Sequence, residues 1–127
     1  MSNKNMHRIG AICWQDLTVR HAEKVRKFYC EVVGWQSQPL DMGGYSDFVI
    51  LPPGSKKGVA GICHARGCNA KLPPQWLIYI NVKNLNASIR RCRKLGGKVI
   101  DGPRKMEKLR FCAIQNPTGA VAALIGP

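Results

Sequence analysis

The sequence predicts an α+β fold in which two βαβββ modules form a curved mixed β-sheet with helices on its convex side. Three observations predict it. Trp76 to Pro127 reads strand, helix, then three strands, and the same order recurs from Arg8 to His64. Landmarks of the two halves also fall at a nearly fixed spacing. Val59-Ala-Gly-Ile62 aligns with Val121-Ala-Ala-Leu124 at an offset of 62 residues (121 less 59), Val19 with Val82 at 63, and Gly34 with Gly96 at 62. Self-similarity of this kind marks a repeated supersecondary unit. Neither half can cover its own sheet, so pairing the modules is the physical solution.

Ile9 to Val19 opens the first strand. Over Arg20–Val33, Ala22, Val25, Phe28, Tyr29 and Val32 recur at helical spacing, an apolar stripe with basic residues opposite. Gly34 suits the helix C-terminus, where a left-handed residue closes the last turn. Trp35–Gln38 is the second strand, Asp41–Gly44 a turn, Phe48–Leu51 the third strand and Gly58–His64 the fourth. Ala65–Gln75, with Gly67, Pro73 and Pro74, reads as a linker. Trp76–Val82 is the fifth strand, and Asn86–Leu95 a helix stopped by Gly96-Gly97. Lys98–Asp101, Leu109–Gln115 and Ala120–Ile125 complete the set. The expected organisation is one domain, residues 1–127, with modules at about 8–64 and 76–127 joined by the linker 65–75.

The two-residue period of a strand assigns faces. Cys13, Gln15, Leu17 and Val19 in the first strand, and Ile78, Ile80 and Val82 in the fifth, lead straight toward the helices and should face them. Trp14, Asp16, Thr18, Leu77, Tyr79 and Asn81 are then expected on the concave side.

Composition narrows the function classes. A chain of 127 residues with 45% hydrophobic content can bury a real core. No apolar run approaches the ~20 residues that cross a bilayer, which argues against a membrane role. Met1 to Arg8 is polar and the apolar stretch after it too short and interrupted for a signal peptide, so the expected location is cytoplasmic. Six cysteines without a secretory signal read as reduced thiols. Cys13, Cys63 and Cys112 fall in strands, Cys30 and Cys92 in helices, and Cys68 in a loop. Twenty Lys and Arg against seven Asp and Glu give a net charge of +13. That field attracts anionic ligands or nucleic acid and repels cations. Arg20, Lys24, Arg26 and Lys27 lie on the first helix, and Arg90, Arg91, Arg93 and Lys94 on the second, so most of this charge points away from an enclosed pocket.

Phe28-Tyr29 followed by Gly34-Trp35, the helix end Leu95-Gly96-Gly97, and Asn116-Pro117-Thr118-Gly119 before the last strand carry a resemblance. They resemble, in order and spacing, the signatures of the glyoxalase, bleomycin-resistance and extradiol dioxygenase superfamily, also called vicinal oxygen chelate proteins. The likeness runs from about Arg8 to Pro127. Arg110-Phe111-Cys112-Ala113 before Asn116-Pro117 resembles the ending of a glyoxalase-like subgroup, with Asn116 where Asp is usual. The resemblance implies a homodimer. It also implies a divalent metal held by His and Glu at four strand positions, which fall here on Trp14, Gly61, Leu77 and Ala123. None supplies a side-chain donor that such a metal requires. The expectation is therefore that there is no metal site and no cofactor, which sets this chain apart from metal-dependent isomerisation, extradiol cleavage and thiol addition to epoxides.

The candidate catalytic residues are Asp16, whose carboxylate would gain basicity if buried, and Tyr79. Trp14 and Asn81 are candidates for lining a ligand pocket; plain core filling is the alternative. Arg104 and Arg110, on the hairpin between the sixth and seventh strands, are candidates for drawing in a carboxylate or phosphate; a solvated hairpin is the alternative. Asp16 has its own alternative as a strand-edge residue paired with an arginine. Trp35 and Trp76 read as packing. Cys63-His64 with Cys68 offers ligand types without the second ligand pair that a zinc site uses, and His7 and His21 stand in the wrong context for one. A redox thiol at Cys68, activated by Arg66, competes with an inert loop cysteine.

The expected function is a metal-free, glyoxalase-like small-molecule binding protein. The alternatives are a lyase, isomerase or dioxygenase-type enzyme of that superfamily, an antibiotic-sequestering protein, or a basic module for an anionic partner. Sequestration of a cationic antibiotic such as bleomycin conflicts with a charge of +13. Nucleic acid binding is expected to be non-specific if it occurs, because exposed aromatics do not interleave the basic residues.

Overall fold

The computed structural model describes residues 8–127; His7 and the polar start of the chain lie outside the described residues. Its elements run β1 (Ile12–Val19), α1 (Ala22–Val33), β2 (Gln36–Asp41), β3 (Ser46–Leu51) and β4 (Ala60–His64). After a single 3-10 turn at Gly67–Asn69 come β5 (Trp76–Asn81), α2 (Leu85–Lys94), β6 (Lys98–Met106), β7 (Leu109–Gln115) and β8 (Val121–Gly126). The fold is α+β, built of two βαβββ modules, as the repeat predicts.

The chain forms two compact units. One comprises Gln15–Trp76, and the other comprises the described residues up to Trp14 together with Leu77–Pro127. In the Gln15–Trp76 unit the strand order is β2-β3-β4-β1. β4 runs parallel to β1 in the register Asp16↔Gly61 and Leu17↔Ile62, and antiparallel to β3 with Phe48↔Ile62. Leu17, Phe48, Ile50, Ala60 and Ile62 bury one sheet face against Ala22 of α1, with Val19, Val25 and Tyr29 packed on the rim. Tyr29, Trp35 and Trp76 close that core as an aromatic cluster with centroids 5.4–5.9 Å apart. The Trp76 indole N–H donates to the Tyr29 hydroxyl at 3.2 Å. Packing is thus the role of both tryptophans.

The predicted stripe of α1 is wider than the one observed. Ala22, Val25 and Tyr29 face the sheet, whereas Phe28 and Val32 are 57% and 66% exposed. Phe28 only edges onto Tyr29, at 5.2 Å. A twelve-residue helix on a four-stranded sheet needs only one narrow ridge. Gly34 ends it in the left-handed conformation, φ 81°, its N–H donating to the Cys30 carbonyl at 3.0 Å.

The other unit repeats the plan in the order β5-β8-β7-β6. β5 and β8 are parallel in the register Tyr79↔Ala123, β8 and β7 antiparallel, and β7 and β6 antiparallel. Leu85 and Ile89 of α2 pack on Cys112 and Leu124, with Ile80, Val82, Val99 and Ile114 around them. Ile80 and Val82 face the helix, as the alternation predicts. Asn84 caps α2 by accepting from the Ala87 N–H at 3.0 Å. The first residues of the described chain join this unit, since the Gly10 N–H donates to the Asn81 carbonyl and the Asn81 N–H to that of Ala11.

Two strands outrun their predicted ends. β2 continues through Pro39 to Asp41, and β6 through Gly102-Pro103 to Met106. Each is the last strand in its unit's order, where a proline's missing N–H costs no ladder bond. β6 absorbs Gly102-Pro103 with register shifts on either side of Asp101. Gly102 has φ 88°, and a Cβ there would lie 2.7 Å from the Phe111 carbonyl oxygen, so both conformation and space demand glycine.

Candidate functional site

In each unit the sheet face turned away from the helix carries the polar and aromatic groups. Within Gln15–Trp76 it is built by three strands. Asp16 and Thr18 project from β1, Gly61 and Cys63 from β4, and Asp47 from β3, one step beyond the Phe48–Ile62 pair. Asp16 is half-buried, while Thr18 and Asp47 are buried. The Asp16 carboxylate stands directly over Gly61. A Cβ at that position would overlap its Oδ1 and lie 3.2 Å from its Cγ.

The neighbouring groups are tied together. Asp47 Oδ1 accepts the His64 backbone N–H at 2.8 Å and lies 3.2 Å from His64 Nδ1. The His64 ring meets Tyr45 edge-on at 5.4 Å, and the Arg66 guanidinium covers Tyr45 at 3.9 Å. Burial pushes the Cys63 thiol far above its ordinary value, and the nearby Asp16 and Asp47 carboxylates, the latter hydrogen-bonded to it, push it further. The thiol therefore keeps its proton at neutral pH and makes a poor nucleophile.

The corresponding face of the other unit is mostly filled. Leu77, Phe111, Ala113 and Ala123 are fully buried, and Tyr79 and Asn81 are 6% and 7% exposed. Tyr79 packs on Phe111 at 5.6 Å, and the Arg104 guanidinium covers the other part of that ring at 4.6 Å. Asp101 Oδ2 pairs with Arg104 at 3.2 Å. Both belong on this face by register, since Arg104 opposes Phe111 and Asp101 opposes Ala113.

Among the residues singled out from the sequence, Tyr79 and Arg104 are thus joined through Phe111. Arg110 is not with them: its guanidinium donates to Asn86 Oδ1 at 3.1 Å and to the Pro127 carbonyl at 3.4 Å. Asn81 is held by its own backbone bonds to Gly10 and Ala11. Trp14 is half-buried and follows Cys13, whose thiol donates to the Tyr79 carbonyl at 3.4 Å. Asp16 and Tyr79 occupy equivalent places in the two modules. Each stands on the first strand opposite a small residue on the fourth, Gly61 and Ala123.

The four positions at which a metal is expected from the family resemblance hold indole, hydrogen, isobutyl and methyl groups. That donor set does not fit a divalent ion. Among the described residues no group of three or more His, Cys, Asp or Glu could hold one. Cys63, His64 and Cys68 do not converge either, since the first two turn to Asp47 and Cys68 faces Asn69 Oδ1 at 3.9 Å. All six cysteines are free thiols.

Sequence reasoning placed Thr18 on the same face as Asp16 but missed Asp47 and Cys63 as neighbours. Their only signal was the two-residue period. Carried into β3 and β4 with the correct register, it puts these side chains on one face.

Compared with known proteins, residues 8–124 match the sequence profile of the Glyoxalase/Bleomycin resistance protein/Dioxygenase superfamily. Over 127 residues the chain is 23% identical to "Putative glyoxylase CFP32" of Mycobacterium bovis and Mycobacterium tuberculosis, covering 96% of this chain and 46% of that protein. The chain spans about half the length of the curated relatives it matches. Among solved structures it resembles the hypothetical protein BH1468 from Bacillus halodurans C-125 with a TM-score of 0.56, 13% identity, and coverage of 94% of this chain and 96% of that one. It resembles the Streptomyces coelicolor methylmalonyl-CoA epimerase, solved in complex with 2-nitronate-propionyl-CoA, with a TM-score of 0.51, 14% identity, and coverage of 94% and 98%. At these identities the structural likeness shows a common fold. Among the described residues no helix is long and apolar enough to cross a membrane.

Proposed function

The chain belongs to the Glyoxalase/Bleomycin resistance protein/Dioxygenase superfamily, and from that premise we propose that it is a metal-free small-molecule binding protein of that superfamily. The observation that carries this reading is the Asp16–Gly61 relationship. Where the resemblance implies a metal ligand on β4, the backbone offers no side chain, and a carboxylate from β1 takes the space. A carboxylate there recognises a ligand through a hydrogen-bond donor, with Thr18 and Cys63 beside it. The +13 field disfavours cationic ligands, which leaves a neutral hydroxyl or amide, on a molecule whose other end is neutral or anionic, as the best complement.

On its own sheet face the other unit carries the nearly buried Tyr79 and Asn81, and there Arg104, held by Asp101, offers a cation suited to an acidic ligand group. Arg110 has the same charge but is engaged with Asn86. We assign the chain to a homodimer, following the family resemblance, and to the cytoplasm, which suits its six free thiols. Should a reaction accompany binding, it is lyase or isomerase chemistry with Asp16 as the base, because its carboxylate is half-buried whereas Asp47 on the same face is buried and bonded to His64.

A thermal-shift screen of small metabolites, each scored with and without EDTA, tests the reading. Ligand stabilisation that EDTA leaves unchanged, and that Asp16→Asn removes, supports it. Stabilisation that EDTA abolishes returns the chain to the metalloenzymes.

A further inference from the structure

Charge is divided unevenly between the two units. Leu77–Pro127 holds ten Lys and Arg against Asp101 and Glu107, a net of +8 (ten less two), whereas Gln15–Trp76 holds eight against five, a net of +3. Asp101 is itself paired with Arg104. We propose, independently of the ligand-binding reading, that the outer face of α2 with Arg110 beside it binds the phosphate backbone of duplex nucleic acid without reading its sequence.

The helical period builds the face. Leu85 and Ile89 turn into the core, so Asn86, Arg90 and Arg93, spaced i, i+4 and i+7, form an outward row with Arg91 and Lys94 next to it. All five are exposed, and among the described residues the four cations make no ion pair. The C-terminus of a helix carries only about half a negative charge, which Arg91, Arg93 and Lys94 in the last turn far exceed. Arg110 comes from β7, and its guanidinium donates to Asn86 Oδ1 at 3.1 Å and to the Pro127 carbonyl at 3.4 Å. Neutral oxygens thus fix its position and leave its charge uncompensated. At a rise of about 1.5 Å per residue, the row from Asn86 to Arg93 is about 10 Å long. One strand of a duplex presents a phosphate about every 3.4 Å along the axis, so the row faces about three of them.

Other polyanions fit this face less well. A helix that lies on a membrane needs a free apolar side, and α2 buries Leu85 and Ile89 against its own sheet. A protein interface is centred on aromatic or aliphatic anchors. Asn86, Arg90, Arg91, Arg93 and Lys94 offer none, and Leu95 lies beyond the end of the helix. Single strands are held by stacking on exposed rings, and Tyr79 and Phe111, the rings of Leu77–Pro127, are buried. Guanidinium and ammonium groups without anchors or rings match a polymer recognised through its phosphates alone.

The test is fluorescence anisotropy of a labelled duplex of about 20 base pairs and arbitrary sequence, titrated with the full chain from about 50 to about 200 mM NaCl. Saturable binding at the low end is expected, with log K falling linearly against the logarithm of salt concentration. Arg90→Gln/Arg93→Gln should weaken binding by about tenfold or more and flatten the salt slope by about two. Lys24→Gln/Lys27→Gln removes the same charge from exposed positions on α1 and should change binding by less than about threefold. In the ¹⁵N-labelled parent chain, shifts caused by the duplex should centre on the amides of Arg90–Lys94 and vanish in high salt, which checks the surface without relying on how a variant folds. No binding at low salt, equal losses in the two variants, or shifts centred elsewhere would each overturn the proposal. So would tighter binding of the single strand, or polyglutamate displacing the labelled duplex as effectively as unlabelled duplex does at equal charge. Pelleting of the chain by vesicles of phosphatidylserine and phosphatidylcholine, in salt that frees the duplex, would overturn it too.

Discussion

The carboxylate of Asp16 fills the space that a side chain at position 61 would require. One residue on β1 and its partner on β4 therefore share one space, and the pair stands where the family resemblance leads one to expect a donor.

Gly61→Ala should cost about 1 kcal/mol or less, because the new methyl meets only the far end of the Asp16 side chain, which can turn aside. In Asp16→Ala/Gly61→Ala that cost should vanish, so the double change should cost less than the sum of the single ones. Urea denaturation of the four proteins measures this. Additive costs would show that the carboxylate does not occupy that space.

Buried thiols should give stability a dependence on alkaline pH. Burial, followed by the influence of Cys92, raises Cys112 from 9.0 to about 11, outweighing the lowering by Arg93. The folded state thus holds the proton more tightly than the unfolded chain. That contribution is complete below 9.0 and is lost as pH rises through about 11. Cys112→Ala, although less stable at neutral pH, should lose less stability than the parent between those values. Iodoacetamide mapping adds a direct check, since exposed Cys68 should be alkylated well before Cys63.

Tyr29→Phe removes the acceptor of the Trp76 indole N–H while keeping the ring in the cluster. A loss of about 1 kcal/mol is expected, with a shift in tryptophan emission. Phe111→Ala should cost about 3–5 kcal/mol, because the ring is fully buried beneath Tyr79 and Arg104. Arg104→Gln should cost about 1–2 kcal/mol, since the side chain is largely buried over the ring and its loss leaves the Asp101 carboxylate without its ion pair. A larger loss from Arg104→Gln than from Phe111→Ala would contradict this ranking.

The parts of the fold governed by local rules were legible in the sequence. The offset repeat gave both modules, and the alternation in β5 placed Ile80 and Val82 against α2. Strand ends were less legible, because Pro39 and Gly102-Pro103 read as breaks and an outermost strand tolerates them. Phe28 and Val32 have core-type side chains at helical spacing, yet the sheet beneath α1 receives only Ala22, Val25 and Tyr29. The surroundings of Asp16 depend on the registers Asp16↔Gly61 and Phe48↔Ile62, which come from pairing across 45 residues (61 less 16) and 14 residues (62 less 48). No local pattern carries that information. For the same reason Arg104 and Arg110, six residues apart on one hairpin, could not be separated in role until their partners, Phe111 and Asn86, were visible.

The role proposed for Asp16 requires that the strand positions of Trp14, Gly61, Leu77 and Ala123 hold no ion. Isothermal calorimetry of the EDTA-stripped, dialysed chain with Ni²⁺ and Zn²⁺, paired with melting curves, measures it directly. No stoichiometric heat and no metal-dependent rise in melting temperature are expected. One equivalent of tightly bound metal that raises the melting temperature, and loses that effect in Asp16→Asn, would contradict that role.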